Sequence, residues 1–388
     1  MRLIFIFLIL LSIIFTSCKT DEPLKSQDQN QIKPPVQKGE IDLVGFSDQL
    51  IEAVAVNQKE PWNILVSTGS PDRRVFVSND YGITWSVKFD SIRSMCLSWD
   101  NQKPSIAYIT RNRKMPEDWY ELRPVIFKTS DYGKSWFAAD SGISYYYIGS
   151  HFTTVTTDYF NSDYVYAVGT ATSNIMPGEG GWLFYISTNG GKTFSNSVEV
   201  FFYFNLDIYL VKDVATSNLK SGVVYVTICR DSRDYELAVS SDFGNTWFLK
   251  DVINGWYSDA IKVFNETVVL TVTDSYYPFK FGYYEISSRI LISKDGGISF
   301  TMIDNSKVDY SQVKDFLITP EGYIIFTGVL QSDPTKTMIY ISKDGGNTWQ
   351  TLSSDSESKT FLSYDPKNKF LYFVKDKKNK GLYRIKLD

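Results

Sequence analysis

An eight-residue pattern recurs six times along this chain of 388 residues. Each copy has Ser or Thr first, Asp or Asn third, Gly fifth, Ser or Thr seventh and Trp or Phe eighth, as in SKDGGNTW at residues 342–349. The copies start at residues 78, 129, 187, 240, 293 and 342, so neighbouring starts lie 49 to 58 residues apart. A near-constant period of about fifty residues is typical of repeat architectures, in which each repeat is one supersecondary unit. The chain is therefore expected to form an array of similar units.

Each repeat contains four short β-rich runs. In the sixth repeat these are VKDFLITP, GYIIFTGVL, KTMIYIS and TWQTLS, separated by Gly, Pro, Asp and Asn. The first repeat has LIEAVAVN, WNILVST, RRVFVSN and TWSVKF, and in both the octet falls between the third and fourth runs. Aromatic residues make up 16% of the chain, which also favours strands. Four antiparallel strands per repeat, stacked radially, predict the blades of a β-propeller.

The octet itself is expected to be a structural turn. Its third side chain can accept hydrogen bonds from main-chain amides two or three residues on, as in an Asx-turn. Its Gly suits positive φ, and its closing Trp or Phe supplies a large apolar side chain between neighbouring sheets. A calcium loop needs several carboxylates, whereas each octet has at most one, so we predict no metal and no cofactor. The third-position residues are Asp80, Asp131, Asn189, Asp242, Asp295 and Asp344.

The octet pattern resembles the Asp-box, or bacterial neuraminidase repeat, and the resemblance runs from about residue 41 to the C-terminus. Asp-box propellers include sialidases, sortilin-type receptors, xyloglucan-cleaving endoglucanases and assembly factors of the photosystem-stability type. The box is structural in all of them, so the resemblance implies a fold and says little about function. The chain looks closer to the non-catalytic sortilin-like and photosystem-stability-factor-like members than to true sialidases.

The six octets predict seven blades. After the sixth octet, the runs KTFLSYD, KFLYFVKD and GLYRIKLD give three more strands, and GEIDLVGFS near the N-terminus is a β-run without a repeat of its own. An N-terminal strand that completes the seventh blade would seal the ring and remove its open edges. A six-bladed propeller is the alternative.

The N-terminal forty residues predict export and attachment to a membrane. Residues 1–18 combine a basic start, an apolar run and a final Ser-Cys, and they resemble a bacterial lipoprotein signal in which Cys18 is lipidated. Lys19 after the cysteine indicates the outer membrane, and an ordinary secretory signal is the alternative. Residues 19–40 are rich in Gln, Lys, Asp and Pro and are expected to be a flexible tether to a propeller of residues 41–388. Cys96 and Cys229 fall in different repeats, so two buried thiols are expected.

The long loops between the second and third strands of blades 2 to 5 are the best candidates for a binding face. The formal net charge of −4 does not suggest a nucleic-acid groove. In these loops aromatic residues mix with Arg, Asp and Glu, which is typical of surfaces that recognise peptides or sugars. We expect a lipid-anchored monomer that binds a protein or glycan partner without catalysis; the alternative is that the loops only cover the ring. The candidate residues are Trp119, Tyr120, Trp182, Tyr235, Tyr276 and Tyr277.

An exo-acting glycosidase of sialidase type is the alternative function. Sialidases hold the substrate carboxylate with three arginines and use a Tyr nucleophile activated by Glu, with an Asp acid/base. The Phe/Tyr-Arg-Ile-Pro element that opens sialidases is missing, and LRPV at residues 122–125 is the nearest match. The resemblance implies as candidates Arg111, Arg123, Arg230, Arg289, Tyr283, Tyr284, Glu285 and Asp231.

Overall fold

A computed structural model describes residues 37–387, apart from 112–125, 144–150, 173–179, 197–207, 231–233, 255–256, 275–286, 305–306 and 353–358 and the side chains at some strand ends. The described residues form 28 β-strands and no helix. The strands make seven four-stranded antiparallel sheets, each of which is one blade. The predicted all-β, seven-bladed propeller is confirmed.

The strands follow one another blade by blade. Blade 1 consists of β2 Ile51–Val56, β3 Ile64–Thr68, β4 Arg74–Ser78 and β5 Ser86–Asp90. Blade 2 consists of β6 Leu97–Trp99, β7 Ala107–Thr110, β8 Ile126–Thr129 and β9 Phe137–Ala138. Blade 3 consists of β10 His151–Thr157, β11 Val165–Thr172, β12 Gly180–Ser187 and β13 Ser195–Asn196. Blade 4 consists of β14 Ile208–Thr216, β15 Val224–Arg230, β16 Asp234–Ser240 and β17 Phe248–Asn254; blade 5 of β18 Tyr257–Phe264, β19 Thr267–Asp274, β20 Ser287–Ser293 and β21 Thr301–Met302. Blade 6 consists of β22 Gln312–Ile318, β23 Ile324–Val329, β24 Thr337–Ser342 and β25 Gln350–Thr351; blade 7 of β26 Lys359–Asp365, β27 Phe370–Lys375, β28 Gly381–Lys386 and β1 Ile41–Gly45.

The N-terminal strand closes the ring. The order of the seventh sheet is β1-β28-β27-β26, so β1 takes the place of a fourth strand, with Ile41 opposite Ile385. The seven first strands contact one another in turn, and β26 of blade 7 contacts β2 of blade 1. The prediction of a seventh blade completed by the N-terminal strand is therefore confirmed, and the six-bladed alternative is wrong.

The hydrophobic core lies between the blades. Seven clusters of buried side chains are found among the described residues, one at each interface between neighbouring blades. Because each sheet packs on two others, middle strands such as β3, β23 and β27 are buried along their whole length, which explains their continuous apolar runs. Trp247 shows how an octet contributes: its ring packs edge-on against Phe184 of blade 3, 5.8 Å between centroids. The expected packing of the octet Trp between sheets is confirmed.

Each octet is a hydrogen-bonded turn, which we call the octet turn. In the sixth, Asp344 Oδ1 accepts bonds from Ser342 Oγ (2.8 Å) and from Thr348 N (2.9 Å), and its Oδ2 accepts one from Thr348 Oγ1 (2.7 Å). The bonds from Thr348 are the main reason that the pKa of Asp344 is lowered to about 2. The same three bonds are made in other blades by Asp80, Asp131, Asp242 and Asp295.

The Asp or Asn at the third octet position bonds to a more distant main-chain amide than in the Asx-turn expected from the sequence. Its recurrent main-chain donor is four residues on, because the chain must complete a wider turn before the fourth strand begins. In blade 3, Asn189 makes equivalent bonds, with its Nδ2 donating to Thr193 Oγ1 (2.7 Å). The octet Gly has the expected positive φ; at Gly346 (φ 91°) an added Cβ would clash with Ile292 Cδ1 of blade 5. Glycine is therefore required there both by the backbone and by the neighbouring blade.

Candidate binding face and central channel

The antiparallel blades give the propeller two faces. The octet turns and the turns between first and second strands lie on one face, which we call the octet-turn face. The connections between second and third strands, and those that lead to the next blade, lie on the other, which we call the long-loop face. Of the predicted binding residues, Trp182 and Tyr235 lie in strand ends that reach this long-loop face.

Among the strands that the structure describes, the third strands of three neighbouring blades extend furthest towards the long-loop face. Strands β12, β16 and β20 have 8, 7 and 7 residues, against 5 in β4 and 6 in both β24 and β28. At about 3.3 Å per residue, one to three additional residues extend a strand by roughly 3 to 10 Å. The described ends of β12, β16 and β20 therefore form a raised edge, which we call the blade 3–5 wall.

Two of the binding-face candidates lie on this wall. Trp182 in β12 is paired with Thr170, and Tyr235 in β16 is paired with both Cys229 and Ile253. The structure thus places these two positions on adjacent blades. Trp119, Tyr120, Tyr276 and Tyr277 lie outside the described residues.

Only two of the sialidase-type candidates have described side chains. Arg111, directly after β7, is buried. Arg289 in β20 donates a hydrogen bond to the carbonyl oxygen of its neighbour Ser288 (3.0 Å). Arg230 ends β15 on the wall, with its side chain outside the described part. Also outside are Arg123, Asp231, Tyr283, Tyr284 and Glu285.

An ion pair on the long-loop face was not anticipated from the sequence. Arg93, in the connection from blade 1 to blade 2, donates through Nε to both carboxylate oxygens of Glu52, at 2.8 and 3.0 Å. Glu52 lies at a register shift of β2, where the bulge changes the direction of the strand. An isolated Glu in LIEAVAVN carries no sign of this partner, which is 41 residues away along the chain.

A central channel runs between the seven first strands. It contains a cavity of about 600 Å³, and the residues from the turns between first and second strands place its mouth on the octet-turn face. None of the binding residues predicted from the sequence belongs to the turns of the octet-turn face. The turn residues at the mouth are Gln58, Lys59, Asn101, Tyr159, Asn218, Pro320 and Pro366.

Charged side chains lie within the channel. Lys262 Nζ is 4.0 Å from Asp213 Oδ2, and Asp315 lines the same cavity. Burial opposes the charge of Lys262, but Asp213 and Asp315 outweigh it and raise the pKa of Lys262. Burial raises the pKa of Asp315, against amide hydrogen bonds from Leu362 and Phe316. Lys262 therefore lies within the field of two acidic side chains of the channel, Asp213 and Asp315.

The acidic side chains of the channel tie one blade to the next. Asp213 of blade 4 accepts hydrogen bonds from Thr154 Oγ1 in blade 3 (2.6 Å) and from Ile261 N in blade 5 (3.0 Å). Asp315 of blade 6 accepts one from Leu362 N in blade 7 (2.6 Å). Protein donors thus occupy these carboxylate oxygens, so Asp213 links blade 4 to blades 3 and 5, and Asp315 links blade 6 to blade 7.

Neutral side chains make the corresponding bonds at two other interfaces. Ser363 Oγ accepts a hydrogen bond from Val56 N (2.9 Å), which joins blade 7 to blade 1. Cys96 Sγ accepts one from Val155 N (3.1 Å), and burial raises the pKa of this free thiol to about 11. The expected buried thiol is confirmed at Cys96; the side chain of Cys229 is outside the described part.

Neither a metal site nor a membrane span was found in the part of the chain that the structure describes. Within it, no three His, Cys, Asp or Glu side chains are grouped so that they could hold a metal ion. Within the same residues, no helix has the length and apolar character needed to cross a bilayer.

Seven four-stranded blades closed by an N-terminal strand define the chain as a seven-bladed β-propeller. YCF48 from Cyanidioschyzon merolae has a similar structure over 89% of this chain and 98% of its own, with a TM-score of 0.57 and 14% identity. YCF48 bound to a D1 peptide is similar over 90% of this chain and 97% of its own (TM-score 0.54, 12% identity).

Part of a propeller enzyme also has a similar structure. The GH74 xyloglucanase from Xanthomonas campestris matches 90% of this chain with a TM-score of 0.63 and 11% identity, but this chain spans only 54% of that enzyme. No family model and no curated protein matches the sequence. Likeness at these identities shows the fold alone, so function has to be argued from the surfaces of this chain.

Proposed function

We propose that this chain is an exported, lipid-anchored Asp-box propeller that binds a peptide segment of a protein partner on the blade 3–5 wall, without catalysis of its own. The hydrogen bonding of the octet turns supports membership of the Asp-box propellers. The N-terminal signal supports lipidation at Cys18 and a place at the outer membrane, where the chain acts as a monomer.

The blade 3–5 wall carries this proposal. Among the described strands it is one-sided, because the third strand of blade 1 has only 5 residues, against 7 or 8 in blades 3 to 5. A raised edge beside a lower surface gives an elongated ligand a side to lie against, and residues in paired strands lose little backbone entropy on binding. Trp182 and Tyr235 bring aromatic residues to this edge, and aromatic residues are enriched where proteins bind partners.

A peptide is favoured over a glycan as the ligand. One propeller of similar fold is described with a bound D1 peptide, and that likeness covers 97% of its chain. The xyloglucanase likeness covers about half of the enzyme, so it supports a carbohydrate ligand less directly. A glycan is therefore an outcome that the test has to be able to reveal.

The test uses the soluble chain from residue 18 with Cys18→Ser, applied to a library of 15-residue peptides and to a glycan array. We expect retention of a set of peptides, and a loss of at least tenfold in signal when Trp182→Ala and Tyr235→Ala are combined. Phe248→Ala is the matched control, because Phe248 lies on the outer strand of blade 4 and is 65% exposed. Retention of glycans alone would contradict a peptide ligand.

Two further assays address the anchor and the enzyme alternative. Palmitate labelling of the full chain is expected to disappear in Cys18→Ala. When cells are treated with globomycin, the unsubstituted chain is expected to accumulate as an uncleaved precursor. A fluorogenic sialoside is expected to remain intact. Cleavage that is lost in Tyr283→Phe or Tyr284→Phe would replace the binding proposal with the sialidase-type one.

A further inference from the structure

The chain enters the propeller on the octet-turn face. Gly39 N donates to Lys386 O (3.1 Å), and Lys38 forms a bridge with Lys386 just before β1 begins. Lys386 is paired with Phe370, the first residue of β27, which follows the turn between the first and second strands of blade 7. Turns of this kind lie on the octet-turn face. Any anchor upstream of Gln37 is therefore connected to that face.

The segment between the proposed lipid and the propeller is short. Eighteen residues, 19–36, separate Cys18 from Gln37. A chain of this length spans at most about 60 Å when fully extended, while a strand of six residues such as β24 is roughly 20 Å long. To reach a membrane at the long-loop face, an anchor attached at Gln37 would use about a third of that length to pass the side of blade 7. The attachment point at Gln37 thus favours the octet-turn face as the nearer one.

The octet-turn face also has the side chains that suit a lipid headgroup region. Four exposed large apolar residues lie on its turns, and Ile298 is 76% exposed. Lysines lie over aromatic rings on the same face, with Lys367 Nζ 5.1 Å from the ring centre of Trp62 and Lys343 Nζ 5.2 Å from that of Tyr323. Aromatic and lysine side chains together are typical of residues that rest at a membrane–water interface. The other three apolar residues are Ile83, Phe160 and Leu219.

We propose that the octet-turn face of the anchored propeller lies against the lipid surface and that the blade 3–5 wall points away from it. This inference rests on the proposed lipid anchor at Cys18. It deepens the proposed function, because it leaves the wall open to a partner while the mouth of the central channel faces the bilayer.

The test attaches the chain to vesicles without relying on cellular lipidation. The chain from residue 18, with Cys229→Ser, is coupled through the Cys18 thiol to a maleimide-headgroup lipid in vesicles of phosphatidylethanolamine and phosphatidylcholine; Cys96 is buried and does not compete. A donor dye is placed through an azide-bearing amino acid at Asn347 or at Pro334. Both residues are exposed and lie at opposite ends of blade 6. Energy transfer to a headgroup-labelled acceptor lipid is then measured.

We expect the transfer efficiency to be at least twofold higher from position 347 than from position 334. Equal transfer, or higher transfer from position 334, would overturn the proposed orientation even if Cys18 proves to be lipidated. Conversely, absence of palmitate labelling in cells would remove the anchor without changing this result.

A second pair of variants tests the apolar contact. Phe160→Asp combined with Ile298→Asp is expected to lower the ratio of the two transfer efficiencies towards one. Val87→Asp combined with Phe248→Asp, which adds the same charges on outer strands, is expected to leave the ratio unchanged. The same ratio in both variants would contradict a contact between these apolar residues and the lipid surface.

Discussion

The guanidinium of Arg384 in β28 lies 3.1 Å from the carboxylate of Asp42 in β1, so an ion pair joins the last strand of the chain to the first. The Arg384 side chain is only 2% exposed, and it also lies over the ring of Phe370, 4.6 Å from its centre. Asp42 is 27% exposed. The pair therefore lies at the one place where the ring is closed by residues from opposite ends of the sequence.

Loss of this pair is expected to weaken the whole ring. Asp42→Ala leaves a buried guanidinium without its carboxylate, and we expect the free energy of unfolding to fall by about 2 kcal/mol, since Asp42 is partly solvated. Urea unfolding followed by tryptophan fluorescence measures the change.

The control for Asp42→Ala is an exposed pair in blade 1. Arg74 Nε lies 2.6 Å from Asp90 Oδ1, but the two side chains are 42% and 69% exposed. Asp90→Ala is expected to lower the stability much less than Asp42→Ala, because water screens exposed charges. If both variants lowered the stability equally, the closure pair would have no special role.

Alanine substitutions at two glycines can distinguish the cost of backbone strain from the cost of a clash between blades. Gly322 and Gly346 both have positive φ, but an added Cβ would meet nothing within 4 Å at Gly322, whereas at Gly346 it would clash with Ile292. We expect Gly322→Ala to cost about 1 kcal/mol and Gly346→Ala about 3 kcal/mol. Equilibrium unfolding gives both values, and similar costs would argue against tight packing of the octet turn on the neighbouring blade.

The octet turns predict loss of stability in acid. The pKa of Asp344 is lowered to about 2 in the folded protein, below the value of about 3.9 for an unfolded aspartate. Its stabilising effect is therefore complete above the unfolded pKa and is lost as the pH falls towards 2. Asp344→Asn, which copies the natural Asn189, is expected to make the melting temperature fall less between pH 5 and pH 2.5. An unchanged pH profile would contradict this role of the carboxylate.

Asp213 in the central channel is expected to contribute strongly to the free energy of unfolding, because it links the first strands of neighbouring blades. Asp213→Ala removes the acceptor for Thr154 Oγ1 and Ile261 N and leaves Lys262 near an apolar side chain, so we expect a loss of about 3 kcal/mol or more. Ser363→Ala removes one acceptor, for Val56 N, and should cost about 1 kcal/mol. Unfolding in urea compares the two, and a smaller effect for Asp213→Ala would show that the ring does not depend on this link.

Local patterns made the fold readable from the sequence. The octet turn recurs in six blades, so its spacing indicated the repeat, and the β-run GEIDLVGFS, which has no repeat of its own, indicated the closing strand. Asp213 and Asp315 were missed because each accepts a hydrogen bond from a main-chain amide of the next blade, 48 and 47 residues away. The shared VKD in VKDVAT and VKDFLI was a usable signal, since an Asp repeated at one position of an apolar strand indicates a repeated polar contact.

The binding face was predictable only as a region. Loop length and composition pointed to blades 2 to 5, and the longer hairpins of blades 3 to 5 add a raised edge there. Trp182 and Tyr235 come from different blades, 53 residues apart along the chain, and no local sequence pattern encodes how such distant residues are arranged.

The most direct test of the proposed function is a titration. The peptide with the strongest array signal is titrated calorimetrically into the soluble chain, into Trp182→Ala combined with Tyr235→Ala, and into Phe248→Ala. We predict that the wall variant raises Kd at least tenfold and that Phe248→Ala leaves Kd unchanged, with all three proteins folded by circular dichroism. Unchanged affinity in the wall variant would contradict binding on the blade 3–5 wall.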